Sequence, residues 1–258
     1  NGLKPNHDYT VGSSKVDDIM NGVSTLDIVL IQRHILGISE LNTPYKKIAS
    51  DINNDGKITA ADLIKLRKLI LGLTTDFDSG QHSYRFVTKT NGFNNASNPF
   101  PFNETYLQSN LTNNVSGKDF VAVKIGDVNS SAVFNARNTG SENRVNKNMV
   151  FKIPQVMANQ GELIKVPFYV QDLKDYLGFQ TTMNFDESRL QFEDIELNES
   201  IMNFDNFNLS HVQDGKIAIS WNNNSENTED AIFTLIFHAK QTTPLLEAIS
   251  IGSDIINS

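Results

Sequence analysis

The chain of 258 residues has 39% hydrophobic residues, enough for one to three globular domains with ordinary cores. Its net charge of -8 at pH 7 argues against a surface that binds nucleic acid or anionic lipid, and it suits a protein that collects cations. Cysteine is absent, which excludes a disulfide framework, and no apolar run is long enough to predict a membrane span. We expect residues 1–14 to be a linker.

The first predicted elements are two loop–helix units. A shift of 35 residues lays residues 26–28 over residues 61–63 and residues 35–37 over residues 70–72. In the second unit apolar residues recur with the helical period, and a glycine stands where the helix would end. Two such half-units can bury each other's apolar faces, so we predict a single module over residues 15–74.

The loop of the second unit, residues 51–62, places oxygen-bearing side chains at the offsets that a calcium loop requires. Ca²⁺ takes about six to eight oxygen ligands, and alternate side chains on a tight turn, here permitted by Gly56, can surround it. The predicted ligands are Asp51, Asn53, Asp55, the backbone carbonyl of Lys57, and Asp62. In an alternative interpretation, residues 53–56 form only a turn, and Thr59 caps the next helix together with Asp62.

The loop of the first unit is one residue shorter, since Gly22 lies five residues before Asp27 whereas Gly56 lies six before Asp62. If the gap falls at position 7, Ile19 stands where an oxygen ligand is expected, and water or a backbone carbonyl would have to complete the site. The predicted ligands here are Asp17, Asn21 and Asp27, with Asp18 as a substitute. The alternative is a metal-free turn in which Ser24 caps the following helix.

A paired loop–helix unit that ends in Leu-Gly and closes its loop with Asp62 resembles a type I dockerin. The resemblance covers residues 15–74 and implies a calcium-binding module that recognises a cohesin. Dockerins bind through loop positions 10 and 11 and along the helices, and here these positions are Thr25-Leu26 and Ala60-Ala61. The alanine pair differs from the hydroxyl pair of cellulosomal dockerins, so the resemblance does not identify the partner.

Residues 75–135 form an irregular extension that we expect to pack on the dockerin-like core. Its apolar anchors are residues 84–87, 98–102 and 120–125, separated by turn residues. Residues 127–129, Asp-Val-Asn, begin like a calcium loop, but no Asp-Gly follows at the right offset, so we predict a plain turn. The combination of dockerin, Asn-Pro-Phe-Pro-Phe and Val-Lys-Ile-Gly-Asp-Val-Asn resembles a composite module in large cell-surface adhesins of gliding, type IX-secreting bacteria, which implies an extracellular location at the bacterial cell surface.

Residues 136–148 are polar and without periodicity, as expected of an interdomain linker. After it the pattern changes to period two, with apolar residues at alternate positions of residues 164–170 and 179–185. Asp214-Gly215 predicts a tight hairpin, and residues 232–237 are apolar on both faces, as in a central strand. Many short strands without helices predict a β-sandwich.

Residues 149–258 resemble a cohesin domain, because Val166-Pro167, Gly178-Phe179-Gln180 and Leu190-Gln191-Phe192 follow one another as they do in cohesins. The sequence stops near Ile255 before the closing strand that this resemblance implies, so we expect a truncated sandwich with an unpaired edge. The predicted fold class is multidomain, α followed by all-β. A paired calcium loop–helix (dockerin-like) module with an irregular extension precedes a cohesin-like antiparallel β-sandwich.

No catalytic motif is present: the five histidines are scattered, and no Gly-x-Ser-x-Gly, His-Glu-x-x-His or phosphate loop occurs. We therefore predict a non-catalytic, calcium-stabilised segment of an extracellular surface protein that serves adhesion or assembly, with neighbouring domains of the same protein or a cohesin- or dockerin-type partner. One alternative is an intermolecular dockerin–cohesin connector. Another is a carbohydrate-binding module for surface polysaccharide, in which Trp221, Tyr169 and Tyr176 would stack on sugar rings.

Overall fold

The computed structural model describes residues 2–16, 19–77, 82–90, 92–133, 149–222 and 229–252. The predicted ligand Asp17, its substitute Asp18 and the predicted linker at residues 136–148 lie outside these residues. The chain forms two compact units. The first comprises Asn1–Val23, Leu30–Leu66 and Asp76–Asn138, and the second comprises Ser24–Val29, Arg67–Thr75 and Thr139–Ser258.

The helices are α1 (Thr25–Ile35), α2 (Pro44–Ser50), α3 (Ala60–Ile70) and α4 (Leu245–Ala248). The strands are β1 (Tyr9–Gly12), β2 (Tyr84–Thr88), β3 (Thr105–Gln108), β4 (Phe120–Lys124), β5 (Phe151–Lys152), β6 (Met157–Ala158), β7 (Leu163–Val170), β8 (Gly178–Phe185), β9 (Leu190–Leu197), β10 (Phe207–Asn208), β11 (Lys216–Asn222), β12 (Phe233–Ala239), β13 (Thr243–Pro244) and β14 (Ile249–Gly252). Both α1 and α3 contribute residues to both units.

In the first unit, two antiparallel strand pairs accompany α2. Strand β1 pairs with β3, with Tyr9 opposite Gln108, and β2 pairs with β4, with Tyr84 opposite Lys124. Strand β1 lies within residues 1–14, which we expected to be a linker, and the other three lie within the predicted irregular extension. These strands have only four or five residues. A strand of four or five residues is too short to show a clear alternating pattern, although hydrogen bonds to its partner strand satisfy its backbone polar groups.

Helix α2 has clear start signals. The Oγ1 atom of Thr43 accepts a hydrogen bond from the Lys46 amide at 3.2 Å, and Pro44 takes the first helical turn, where a missing N–H costs nothing. After β4, the Gly126 amide donates to the Ala49 carbonyl at 2.9 Å, which ties this segment to α2. The core of the unit includes Ile31, Leu41, Ile48, Ile52, Leu66, Tyr84, Val87, Val123, Ile125 and Val128.

The second unit contains a β-sandwich of two four-stranded sheets, ordered β10-β11-β8-β14 and β5-β7-β12-β9. All described strand pairs in these sheets are antiparallel, which confirms the predicted antiparallel sandwich. Strand β7 alternates between buried and more exposed residues as its sequence predicted. Strand β12 lies between β7 and β9 and is buried on both faces for most of its length, as expected of a central strand.

Aromatic rings fill the space between the two sheets. Phe168 stacks on Phe233 with ring centroids 4.8 Å apart, and Phe185 lies against Phe237 at 5.1 Å. Full burial of side chains of this size stabilises the fold by about 1.5–3 kcal/mol each. The indole of Trp221 is in the same core, with only 1% of its surface exposed, and its Nε1–H donates to the Ile201 carbonyl at 2.9 Å.

Two predictions about this unit need correction. The sandwich contains the short helix α4, between β13 and β14, as well as short 3₁₀ turns. The hairpin at Asp214-Gly215 is wider than predicted, because β10 pairs with β11 through Phe207 opposite Ile219 and the connection runs over residues 209–215. A 3₁₀ turn, closed by the Gly215 amide donating to Val212, takes up the extra residues.

The edge that we expected to be unpaired near Ile255 lies outside the described residues. Within them, β14 forms one edge of its sheet and pairs with β8. None of the helices in the described part of the chain is both long and apolar enough to cross a membrane.

Candidate metal centre

The predicted calcium loop at residues 51–62 connects α2 to α3 and folds around the carboxylate of Asp51. This side chain is only 2% exposed. Its Oδ1 accepts the Asp55 amide and its Oδ2 accepts the Gly56 amide, both at 3.0 Å. Asn54 (φ 58°) and Gly56 (φ 77°) are left-handed, which lets the chain turn back on itself within so few residues.

Asp62, at the other end of the loop, is fully buried. Its Oδ1 accepts the Ile52 amide at 2.8 Å and the Asn53 amide at 3.2 Å, while its Oδ2 accepts the Thr59 amide at 2.8 Å. Oγ1 of Thr59 also accepts the Ala61 amide at 3.2 Å. The carboxylate of Asp62 therefore joins the start of the loop to the start of α3, and the helix cap considered as an alternative coexists with the loop.

The remaining predicted side-chain ligands lie between these two. Oδ1 of Asn53 accepts the Asp55 amide at 3.0 Å, and its Nδ2 donates to Oδ2 of Asp55 at 2.9 Å. The Lys57 amide donates to Oδ1 of Asp55 at 2.9 Å. The predicted ligand residues of this loop are thus joined to one another by hydrogen bonds that involve only oxygen acceptors.

The electrostatics of the loop oppose ionisation of its two buried carboxyl groups. Burial raises the pKa of the Asp51 carboxyl, the Gly56 and Asp55 amides counteract this, and the charges of Asp62 and Asp55 raise it further. Burial also raises the pKa of Asp62, against three backbone amides, and Asp55 adds to the increase. A divalent cation would relieve both desolvation and repulsion.

The donor set fits Ca²⁺, because it consists of carboxylate and amide oxygens without nitrogen or sulfur ligands. Within the described residues, no group of three or more His, Cys, Asp or Glu side chains is arranged to hold a metal ion. The oxygens of Asp51 and Asp62 accept backbone amides instead. The assignment of these residues as ligands stays a prediction.

The first loop is built differently. Asn21 forms two hydrogen bonds with the backbone of Val133, one donated by Nδ2 and one accepted by Oδ1, each at 2.9 Å. Asp27 is fully buried, and its Oδ2 accepts the amide and the hydroxyl of Ser24 at 2.9 and 3.1 Å. Asp27 therefore caps α1 much as Asp62 caps α3. Metal binding by Asp17, Asn21 and Asp27 stays a prediction.

Residues 127–132 form the turn that we predicted, but with unexpected detail. Oδ1 and Oδ2 of Asp127 accept the Ser131 and Ala132 amides, and Oδ1 of Asn129 also accepts the Ser131 amide, all at 2.9 Å. Ser130 is left-handed (φ 63°), as Asn54 is in the second loop. This turn reproduces the first half of the 51–62 loop. The Asp-x-Asn spacing indicated this similarity in the sequence, but the absence of a following Asp-Gly led us to predict only a plain turn.

The two predicted recognition pairs have different surroundings. Thr25 is 3% exposed, and both its amide and its hydroxyl donate to Oε1 of Gln180, at 2.8 and 3.1 Å. Leu26 is 45% exposed, and Ala60 and Ala61 are exposed as well. The hydroxyl position of the first pair is therefore covered by β8, while the alanine pair faces solvent.

Both parts of the chain are similar to known domain families. Residues 21–71 match the dockerin type I domain family, and residues 149–256 match the cohesin domain family. The chain combines a type I dockerin with a cohesin domain. Both are non-catalytic interaction modules, and proteins that carry them are typically extracellular or on the cell surface. No curated protein matches this chain.

Solved cohesin structures are similar to part of the chain. The seventh ScaB type I cohesin from Pseudobacteroides cellulosolvens is 20% identical over 37% of this chain and 67% of its own, with a TM-score of 0.29. The cohesin CaCohA2 from Clostridium acetobutylicum is 18% identical over 41% and 79%, with a TM-score of 0.30. A cohesin–dockerin complex from Clostridium thermocellum is 18% identical over 38% and 77%, with a TM-score of 0.29. The domain assignment rests on the family matches.

Proposed function

We propose that this dockerin–cohesin chain is a non-catalytic, calcium-stabilised segment of a large extracellular bacterial surface protein, where it serves adhesion or assembly. Calcium binding is supported by the structure of the 51–62 loop. It concentrates the oxygens of Asp51, Asn53, Asp55 and Asp62 around two buried carboxylates whose pKa values are raised. A site that disfavours its own ionisation gains most from a cation.

The proposed mechanism follows from where the ligands are attached. Asp51 directly follows α2, and Asp62 lies in the first turn of α3. An ion held by both carboxylates would fix the angle between these helices and so present a rigid helical surface. At free calcium a hundredfold above the dissociation constant, one such site stabilises the folded protein by about 2.7 kcal/mol.

The assembly role is supported by the presence of two interaction modules in one chain. Dockerin and cohesin families are partners of each other, so neighbouring domains of the same protein and separate dockerin- or cohesin-bearing proteins are both suitable partners. The surface location is supported by the typical setting of these families and by the composite motif that resembles adhesins of gliding bacteria. The net charge of -8 agrees with a calcium-rich exterior.

The second candidate is an intermolecular dockerin–cohesin connector. It is favoured by the solvent-facing recognition positions Leu26, Ala60 and Ala61, which are accessible to a cohesin of another chain. The carbohydrate-binding alternative has less support, because Trp221 is buried in the sandwich core and cannot stack on a sugar ring. Of the two tyrosines named with it, Tyr169 is 37% exposed.

The test is isothermal titration of Ca²⁺ into protein freed of divalent ions. We expect saturable binding, weakened at least about tenfold in the Asp55→Ala variant, since loss of even an outer partner of a metal ligand costs about 10–100-fold. Asp119→Ala removes an exposed carboxylate from the same compact unit and serves as the matched control. Absence of calcium binding to the unaltered protein, or equal weakening by both substitutions, would refute the metal assignment.

A further inference from the structure

Strand β11 is buried on both of its faces. Ile217, Ile219 and Trp221 point into the sandwich core, as alternate residues of one face must. The residues between them point the other way, yet Ala218 and Ser220 are also buried completely. The outer face of an antiparallel sheet is commonly in contact with water, so this face has a covering layer.

The start of α1 supplies one part of this cover. Residues 24–29 belong to the same compact unit as the sandwich. The Thr25 amide and hydroxyl both donate to Oε1 of Gln180 on β8, and Oγ of Ser220 on β11 lies 2.9 Å from the Thr25 hydroxyl oxygen. The Thr25 amide is one of the first-turn donors that a helix cannot satisfy internally, and the sheet satisfies it.

The close approach depends on a missing side chain at the start of β8. A Cβ atom on Gly178 would lie 3.0 Å from Cγ2 of Thr25 and 2.7 Å from the Trp221 carbonyl oxygen. Glycine therefore lets the Thr25 methyl group rest directly on the sheet.

The end of α3 supplies the other part of the cover. Residues 67–75 also belong to the unit of the sandwich. The Arg67 guanidinium donates to Oδ1 of Asn222 on β11, and Nδ2 of Asn208 on β10 donates to the Leu71 carbonyl at 2.8 Å. Leu71 directly follows α3, where carbonyl groups lack a partner within the helix. The sheet thus offers an acceptor to the start of α1 and a donor to the end of α3.

We propose that this chain is closed on itself. The start of α1 and the end of α3 occupy the outer face of β10, β11 and β8, so that a dockerin of another chain reaches this face only after the chain's own helix ends have left it. The occupant is a pair of segments of the same polypeptide, selected by matched helix-end donors and acceptors. This proposal goes beyond the calcium-dependent role and does not require it, since none of the contacting side chains is a predicted ligand.

The test uses an engineered disulfide, because the chain has no cysteine of its own. Thr25→Cys and Ser220→Cys place two thiols where the hydroxyl oxygens are 2.9 Å apart. In calcium-containing buffer at micromolar protein, an effective concentration in the millimolar range favours a bond within one chain over one between chains by about a thousandfold. We expect oxidised monomer in intact-mass spectra and on non-reducing gels.

The control pair is Leu26→Cys with Ser220→Cys, since Leu26 neighbours Thr25 on the helix but is 45% exposed, against 3% for Thr25. We expect its crosslinking to be at least about tenfold slower, because a disulfide tolerates only a narrow range of Cβ separations. Equal rates for the two pairs, or disulfide-linked dimers as the main product of the Thr25 pair, would overturn closure within one chain.

A second test introduces no cysteine and so does not depend on the folding of the cysteine variants. Arg67→Met, Asn222→Ala and their combination form a double-mutant cycle on the α3 contact. If the two residues interact in solution, the combined variant loses less Tm than the sum of the single losses. Strictly additive losses would contradict the proposed contact.

Discussion

At the scale of single residues, the loop depends on two carboxylates that folding forces into the interior. Asp51 and Asp62 each accept several backbone amides, which stabilise the ionised forms, yet burial prevails and raises both pKa values. The same hydrogen bonds that shape the loop therefore leave it with unfavourable negative charge. A bound cation would convert this cost into affinity.

This balance predicts a pH dependence for the metal-free protein. A carboxyl whose pKa is raised in the folded state holds a proton there that the unfolded chain releases, so the free energy of unfolding falls as pH rises from about 3.9 through the raised pKa. In Asp51→Asn this contribution is lost. We expect the stability of that variant relative to the unaltered protein to increase over this window, as measured by urea unfolding at several pH values.

With calcium present the sign reverses. Ligands must be ionised to bind the metal, so stabilisation by calcium grows with pH across the same window. Asp119→Asn is the control, since Asp119 is exposed and outside the loop. A pH profile that is identical for Asp51→Asn and this control would contradict the role given to Asp51.

At the scale of elements, two stretches of chain adopt the same turn. Residues 51–56 and 127–132 share an aspartate that accepts two amides and a left-handed fourth residue. The second turn also meets another segment. A Cβ atom on Gly22 would lie 2.6 Å from the Ala132 backbone nitrogen, and Oγ of Ser131 donates to the Gly22 carbonyl at 3.0 Å. Gly22 is thus needed both for its backbone conformation (φ 78°) and for space.

Gly22→Ala is therefore expected to destabilise the protein strongly. Gly117→Ala is a matched control, since Gly117 has nearly the same φ (75°) in the same unit, but its Cβ would meet nothing within 4 Å. A left-handed alanine costs about 1–2 kcal/mol at either site. The backbone clash should add about 1–3 kcal/mol at Gly22 alone. Equal midpoint shifts in chemical denaturation would show that the approach of Ala132 is not tight in solution.

At the scale of the whole molecule, α3 contains residues of the predicted calcium loop as well as residues of the sandwich unit. It begins at Ala60, within the last residues of the loop, and residues 67–70 at its end belong to the unit of the sandwich. The single tryptophan, Trp221, lies in the core of that unit and reports on its unfolding. The helices α1, α2 and α3 supply most of the helical signal in far-UV circular dichroism.

We expect a chelator to lower the Tm of the helical signal by about 10 °C or more, because about 2.7 kcal/mol of binding energy is lost at hundredfold saturation. If α3 transmits the constraint, the transition of Trp221 fluorescence should fall as well, and by less in Arg67→Met, which weakens the attachment of α3 to β11. If the Tm of the fluorescence transition is the same with and without calcium, this coupling is contradicted. If the Tm of the helical signal is also the same, the metal site itself is contradicted.

Much of the fold followed from local sequence patterns. The residues with oxygen-bearing side chains at positions 51–62 all lie in one loop, and the alternation of buried and exposed residues in β7 depends on neighbouring residues. Both features were therefore predictable from the sequence. The short strand β1 and the wide β10–β11 connection were missed. Their pairing partners lie elsewhere in the chain, and two to four residues display no reliable period.

The sequence by itself indicated the two families, the antiparallel sandwich and the predicted calcium ligands, because each follows from the types and spacing of residues that lie near one another in the chain. The tertiary structure alone decided what Thr25 touches. Its partners Gln180 and Ser220 are 155 and 195 residues away, and none of the three carries a local signal for the others. Hydrogen bonds between distant helix ends and strands depend on how the chain folds, and only the folded chain shows that the Thr25 hydroxyl, at a position predicted to recognise a partner, donates to Gln180.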